Sequence, residues 1–166
     1  MTNSLSRRAI LVGGGAAALS VAVPGIALAR RLPDIQIVDV LQAALALEQR
    51  RVIAHDHTNS HPMLTDPEIL TCTKMLDNHK RHMTTLEEWL RRLGATPKPI
   101  SVSASVVNTR DEALKLWIKL ERDLMDAYLA HAPNLTGELL ADGVRILIDE
   151  TRHHTILSQW LNIRQA

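Results

Sequence analysis

Six ionisable side chains stand where apolar ones are expected in this sequence: Glu48, His79, His82, Glu121, Glu150 and His153. Carboxylates and imidazoles are the oxygen and nitrogen donors that hold transition-metal ions, and neutral imidazole suits zinc, copper and iron alike. Two pairs have helical ligand spacing, His79-x-x-His82 and Glu150-x-x-His153, since positions three apart share a helix face. Glu48 interrupts the stripe Leu41, Leu45, Val52, His55, and Glu121 interrupts Leu114, Trp117, Leu124, Tyr128. The pairs interrupt Cys72, Leu76, Met83, Leu86, Leu90 and Ile146, Leu157, Leu161. An uncompensated buried charge costs several kcal/mol, a large fraction of the roughly 5–15 kcal/mol that holds a domain folded. Two readings follow: three carboxylates neutralise three protonated imidazoles, or a cation sits among them.

The elements that must carry these residues are helices. Four segments have the 3.6-residue period, from about residue 34 to 57, 65 to 94, 109 to 133 and 136 to 163, and none shows a sustained strand-type alternation. Thr65-Asp66-Pro67-Glu68 and Thr109-Arg110-Asp111-Glu112 have the Thr-x-x-Glu form of a capping box, and Gly94 with Pro97 beyond it ends the second segment. Short connections of about eight and about four residues make each consecutive pair an antiparallel hairpin. Between the pairs lies ATPKPISVSASVVN, fourteen residues that reach about 46 Å when extended, enough to run the length of a helix of about 26 residues. The expected fold is an all-α four-helix bundle, two antiparallel hairpins joined by a long crossover.

The hairpins repeat one another. RHMTTLEEWL and RHHTILSQWL agree at Arg81/Arg152, His82/His153, Thr84/Thr155, Leu86/Leu157, Trp89/Trp160 and Leu90/Leu161, an offset of 71 residues. Leu47-Glu48 and Leu120-Glu121 agree at an offset of 73. A duplicated hairpin packed about a pseudo-twofold axis brings equivalent residues round one centre. Counting at 1.5 Å per residue from the hairpin turns puts Glu121 level with Glu150, and Glu48 level with His79. Trp89 and Trp160 are expected as anchors at the bundle end, Cys72 as a small buried apolar residue, and His55-Asp56-His57 with His61 as a polar turn.

The chain opens MTNSLSRRAILVGGGAAALSVAVPGIALA, in which Ser6-Arg7-Arg8-Ala9-Ile10-Leu11 resembles a twin-arginine export signal and Ala27-Leu28-Ala29 a cleavage site. The apolar run of residues 9–23 contains three glycines and is shorter than the roughly 20 residues a membrane span needs. The expected organisation is a leader over residues 1–29 and one domain over residues 30–166, released to the periplasm or the exterior without a stable membrane anchor. Loss of Arg7 and Arg8 takes the formal charge from +1 to −1. With no basic excess and few aromatics, nucleic acid is not an expected partner, and the single cysteine cannot form an internal disulfide.

Glu48, a ligand pair on the second helix, Glu121 and Glu150-Thr151-Arg152-His153 together resemble the ferritin-like superfamily of di-metal carboxylate bundles, which includes ferritins and rubrerythrins. The resemblance covers about residues 34–163. It implies Glu48 and Glu121 as terminal carboxylate ligands, Glu150 as a bridging carboxylate, and His82 and His153 as terminal imidazoles. The chain departs from the pattern at His79, where the family has a second bridging glutamate, so that three carboxylates face two divalent ions instead of four. The implied function is the binding of one or two ions, iron first with zinc or manganese as alternatives, with ferroxidase or peroxide-reducing activity, in a monomer or homodimer. The competing expectation is a non-catalytic helical module of the cell envelope whose core holds a structural zinc or an empty polar network. A bis-histidine haem is the third, opposed by carboxylates at the level a flat apolar macrocycle would need.

Overall fold

The computed structural model describes residues 34–59, 64–101 and 106–163. The expected leader over residues 1–29 lies outside them, as does His61. Four α-helices form, α1 (Asp34–Asn59), α2 (Asp66–Arg92), α3 (Arg110–His131) and α4 (Gly137–Ile163), with a 3-10 turn at Ala132–Asn134 and no strand among the described residues. The architecture is the expected all-α four-helix bundle.

Local chemistry accounts for the helix ends. Glu68 accepts from the Thr65 backbone N–H at 2.9 Å, and Glu112 accepts from that of Thr109 while its own N–H donates to Thr109 Oγ1, both at 3.2 Å. Each exchange satisfies donors that the first helical turn leaves unpaired. At the other end of α2, the Ala95 N–H donates to Leu90 O and the Gly94 N–H to Arg91 O. This closure needs a left-handed residue, and Gly94 supplies it at φ 75°.

The four helices have two kinds of neighbour. Along the chain, α1 packs on α2 and α3 on α4; between hairpins, α1 meets α3 closely and α2 meets α4 more loosely. The crossover is tied along α1. Gln42 donates to Thr96 O (2.7 Å) and accepts from Lys98 N–H (3.1 Å), and Gln49 accepts from Ile100 N–H (2.9 Å). As the crossover ascends it therefore follows α1 from residue 42 to residue 49, which makes α3 start at the far end and descend. Arg110 pins that far end, its Nε donating to Glu68 Oε1 at 3.0 Å and its Nη2 to Trp160 O at 3.3 Å, so one guanidinium joins α2, α3 and α4.

The core has two apolar bodies. One gathers Leu41, Leu45, Leu86, Leu90, Leu124, Tyr128 and Ile146; the other gathers Cys72, Met75, Leu114, Trp117 and Leu157. Trp117 is the fully buried tryptophan. Trp89 and Trp160, expected as anchors at the bundle end, are half-buried; the Trp89 indole N–H reaches out to Asp142 Oδ2 at 2.9 Å. Cys72 is buried as expected, and burial pushes its thiol up to about 12.

Candidate metal centre

Between the two apolar bodies lies a polar layer built from the duplicated helices. Glu48 comes from α1, His79 and His82 from α2, Glu121 from α3, Glu150 and His153 from α4, and all six are buried. The structure brings every one of the expected residues together. His79 Nδ1 lies 2.9 Å from Glu48 Oε2 and 3.5 Å from Glu150 Oε1, while its Nε2 lies 3.4 Å from Glu121 Oε1. His82 Nδ1 lies 2.9 Å from Glu150 Oε1 and 3.3 Å from Glu48 Oε1. His153 Nδ1 lies 3.7 Å from Glu150 Oε2 and 3.8 Å from Glu121 Oε2.

These atoms sort into two overlapping sets, Glu48–His79–His82–Glu150 and His79–Glu121–Glu150–His153, and within each set one donor atom per residue lies within 4.8 Å of all the others. His79 and Glu150 are shared. The sets are mates under the duplication, since the 71-residue offset that pairs His82 with His153 also pairs His79 with Glu150. For an ion held at about 2.1 Å from each of four tetrahedral ligands, neighbouring donors stand about 3.4 Å apart. The separations fall around that value. Moreover His79 Nε2, His82 Nδ1, His153 Nδ1, Glu121 Oε2 and both oxygens of Glu150 are buried without a well-angled hydrogen bond. Buried polar atoms are ordinarily satisfied, so a group of such atoms facing one centre matches a bound cation.

A surrounding set of polar residues holds the imidazoles and carboxylates in place. The Tyr128 hydroxyl donates to Glu48 Oε1 at 3.2 Å. His82 Nε2 faces Asp149 Oδ2 at 3.4 Å, and His153 Nε2 faces the Asn78 amide at 3.0 Å. Asn78 and Asp149 are themselves duplication mates, each held by an exposed arginine, Arg81 on Asn78 and Arg152 on Asp149. Those two repeated arginines therefore support the partners of the imidazoles from the surface.

One residue of α1 was not legible as part of this layer, and another had two readings. Arg51 is fully buried, its Nε donating to Glu121 Oε1 at 2.7 Å and its Cζ standing 5.2 Å from the centre of the Trp117 ring. His55, expected both on the buried stripe of α1 and in a polar turn, is buried inside a helix that continues to Asn59, and its ring stacks on Trp117 with centroids 4.5 Å apart. Val52, expected on the core stripe, is half-buried. Glu48, Arg51 and His55 are separated by three and four residues, which is helical spacing as good as the one through Val52. That polar spacing was the available signal.

Burial opposes charge throughout the layer, and the partners decide each outcome. Burial raises Glu48 and Glu121, but His79 and His82 outweigh it at Glu48, and Arg51, foremost of several partners, holds Glu121 well below the usual carboxylate range. Glu150 has burial and the nearby Glu48 against it and rises to about 7. Burial lowers the imidazoles, yet Glu150, Glu121 and Glu48 lift His79 to about 9, and Glu150 and Glu48 lift His82 to about 10. His55, beside Arg51, is held well below the ordinary imidazole value by burial first and that charge second. Protons on His79 and His82 thus neutralise the carboxylates, in the position where a metal ion would do so.

Solved structures share the four-helix fold. A chain from Bacillus anthracis str. Ames, described as ferritin like, diiron-carboxylate proteins, superposes with a TM-score of 0.71 at 20% identity, covering 77% of this chain and 96% of that one. A conserved hypothetical protein from Mycobacterium tuberculosis superposes with a TM-score of 0.71 at 16% identity, covering 78% and 94%. At those identities the likeness is one of fold. No curated protein is similar in sequence. Residues 36–162 match the family described as Ferritin-like domain, and with most of the chain inside that match, the protein belongs to the ferritin-like domain family.

Proposed function

We propose that the chain is an exported ferritin-like protein, carried by a twin-arginine leader over residues 1–29 to the periplasm or exterior. There it holds one or two transition-metal ions, iron first, through Glu48, His79, His82, Glu121, Glu150 and His153. The observation that carries this reading is the group of buried donor atoms without well-angled hydrogen bonds round one centre. Bound iron would supply one-electron chemistry, in the form of ferroxidase or peroxide-reducing activity. The chain's own residues bind and orient: Tyr128 fixes Glu48 by its hydroxyl, Asp149 and Asn78 set the rings of His82 and His153, and the two apolar bodies keep bulk water from the layer. No described helix is long and apolar enough to cross a membrane.

A second reading, a cell-envelope module with structural zinc or an empty polar core, draws on His79 in place of a carboxylate and on Glu121 already paired with Arg51. Metal analysis of the protein purified without chelators separates the two. Near-stoichiometric iron with near-ultraviolet absorption that responds to peroxide supports the redox reading. Stable zinc silent to peroxide supports a structural ion, and no metal supports the empty network.

A further inference from the structure

Resting on the metal-binding reading above, we infer that the centre is built for one divalent ion, held by Glu48, His79, His82 and Glu150, with Arg51 serving as the fixed cation of the other half. Three independent observations carry this, each a place where the duplicated halves differ. The first is charge. At the 73-residue offset that pairs Glu48 with Glu121, Arg51 pairs with Leu124, a buried apolar residue. An arginine is always cationic, and its Nε and Nη2 both stand 2.7 Å from Glu121 Oε1. Three carboxylates and one guanidinium leave a net charge of −2, which one divalent ion neutralises and a second would overshoot.

The second difference is donor capacity. His79 and Glu150 occupy the two shared positions. A carboxylate has lone pairs on both oxygens, so Glu150 serves both sets, whereas a neutral imidazole has a lone pair on one nitrogen and a proton on the other. His79 turns Nδ1 to Glu48 and Glu150 and Nε2 to Glu121, and as a neutral ring it binds on one side only. The third difference lies behind the terminal imidazoles. His82 has the Asp149 carboxylate at its far nitrogen, and His153 has the Asn78 amide. A carboxylate there makes the ring a stronger ligand than an amide does. Charge and ligand strength thus favour the set containing Glu48 and His82, and His79 has one lone pair to give to it. Arg51 is in this account a positioning residue: it holds Glu121 and repels a second ion.

The test is equilibrium dialysis of the mature protein against zinc and, separately, manganese, for the wild type and for Arg51→Leu, which installs the residue of the duplicated half. The expected result is one tight equivalent in the wild type and two in Arg51→Leu, the second ion binding on the order of 100-fold more tightly than in the wild type once the buried positive charge is gone. Two tight equivalents in the wild type, or no gain in folded Arg51→Leu, overturn the inference while leaving metal binding intact. No binding by either protein overturns metal binding itself, and the inference with it. Because Arg51→Leu leaves Glu121 without its cation and can fail to fold, anomalous scattering from zinc-loaded wild-type crystals supplies a measurement free of substitution. It should show one peak, bounded by Glu48, His79, His82 and Glu150; a peak bounded by Glu121 and His153, or two peaks of equal height, overturns the assignment.

Discussion

Loading the centre with a divalent ion should expel protons, and the structure sets how many. At pH 7 His79, raised to about 9, and His82, raised to about 10, both hold a proton that a metal ion must displace. Glu150, raised to about 7, is half protonated and adds about half of one. An ion bound through Glu48, His79, His82 and Glu150 therefore releases about two and a half protons at pH 7. Each proton displaced makes the association constant rise tenfold per pH unit, so affinity should climb by a factor of at least about 100 for each unit between pH 6 and 8. Titration calorimetry of zinc into the metal-free protein, repeated in buffers of different ionisation enthalpy, gives the number directly as the slope of observed heat against buffer enthalpy. The control is His82→Gln, which removes one protonated ring and should reduce the count by about one. A release below one proton at pH 7 would refute the reasoning, because it would mean that the imidazoles are already neutral and that the carboxylates are balanced in some other way.

The metal-free fold should weaken in alkali. The stability contributed by the raised imidazoles of His79 and His82 is complete below their ordinary value of 6.5 and is lost as pH rises through about 9 and 10, so urea unfolding should show a loss of several kcal/mol between pH 6.5 and 10; a flat profile contradicts it. The lowered carboxylate of Glu48 works in the opposite sense: its contribution is present above 4.5 and disappears as pH falls through its lowered value, visible as acid unfolding. Arg110→Ala removes the link between Glu68 on α2 and the carbonyl of Trp160 on α4 from a site where both charged side chains are about one-tenth exposed, and should cost about 1–3 kcal/mol by urea unfolding at unchanged metal content. His79→Glu supplies a second carboxylate bridge and should raise two-ion occupancy in metal analysis; unchanged occupancy counts against position 79 as a ligand shared by two ions.

The fold and the six central residues were legible because the signals there are periodic and repeated. Capping threonines, Gly94 and the fourteen-residue crossover set helix ends and order, and the duplication placed four helices round one axis. Where the two halves differ, the repeat carries no signal. Arg51 and Val52 both lie within a helical step of Glu48, and an apolar residue is the natural choice for a core stripe. Only the packing reveals that the guanidinium goes inward, where Glu121 accepts from it and Trp117 covers it. His55 belongs by spacing both to the apolar stripe of α1 and to the polar run His55-Asp56-His57, and the continuation of the helix to Asn59 turns it inward. Asn78 and Asp149 sit just before the most obvious repeated stretch, and the same 71-residue offset continued back by three residues from Arg81 would have paired them. The half-burial of Trp89 reflects its indole N–H, which needs an acceptor and finds Asp142 at the bundle surface.

X-ray absorption at the metal edge of the loaded protein tests the central claim most directly, since it reports the ligands of whatever ion is present. The expected result is a first shell of mixed nitrogen and oxygen donors at about 2.0–2.2 Å with the outer-shell scattering of two imidazoles, His79 and His82, and the loss of the His82 share of it in Glu48→Gln/His82→Gln protein. A shell of oxygen alone without imidazole scattering, or an unaltered spectrum in the double variant, would contradict it.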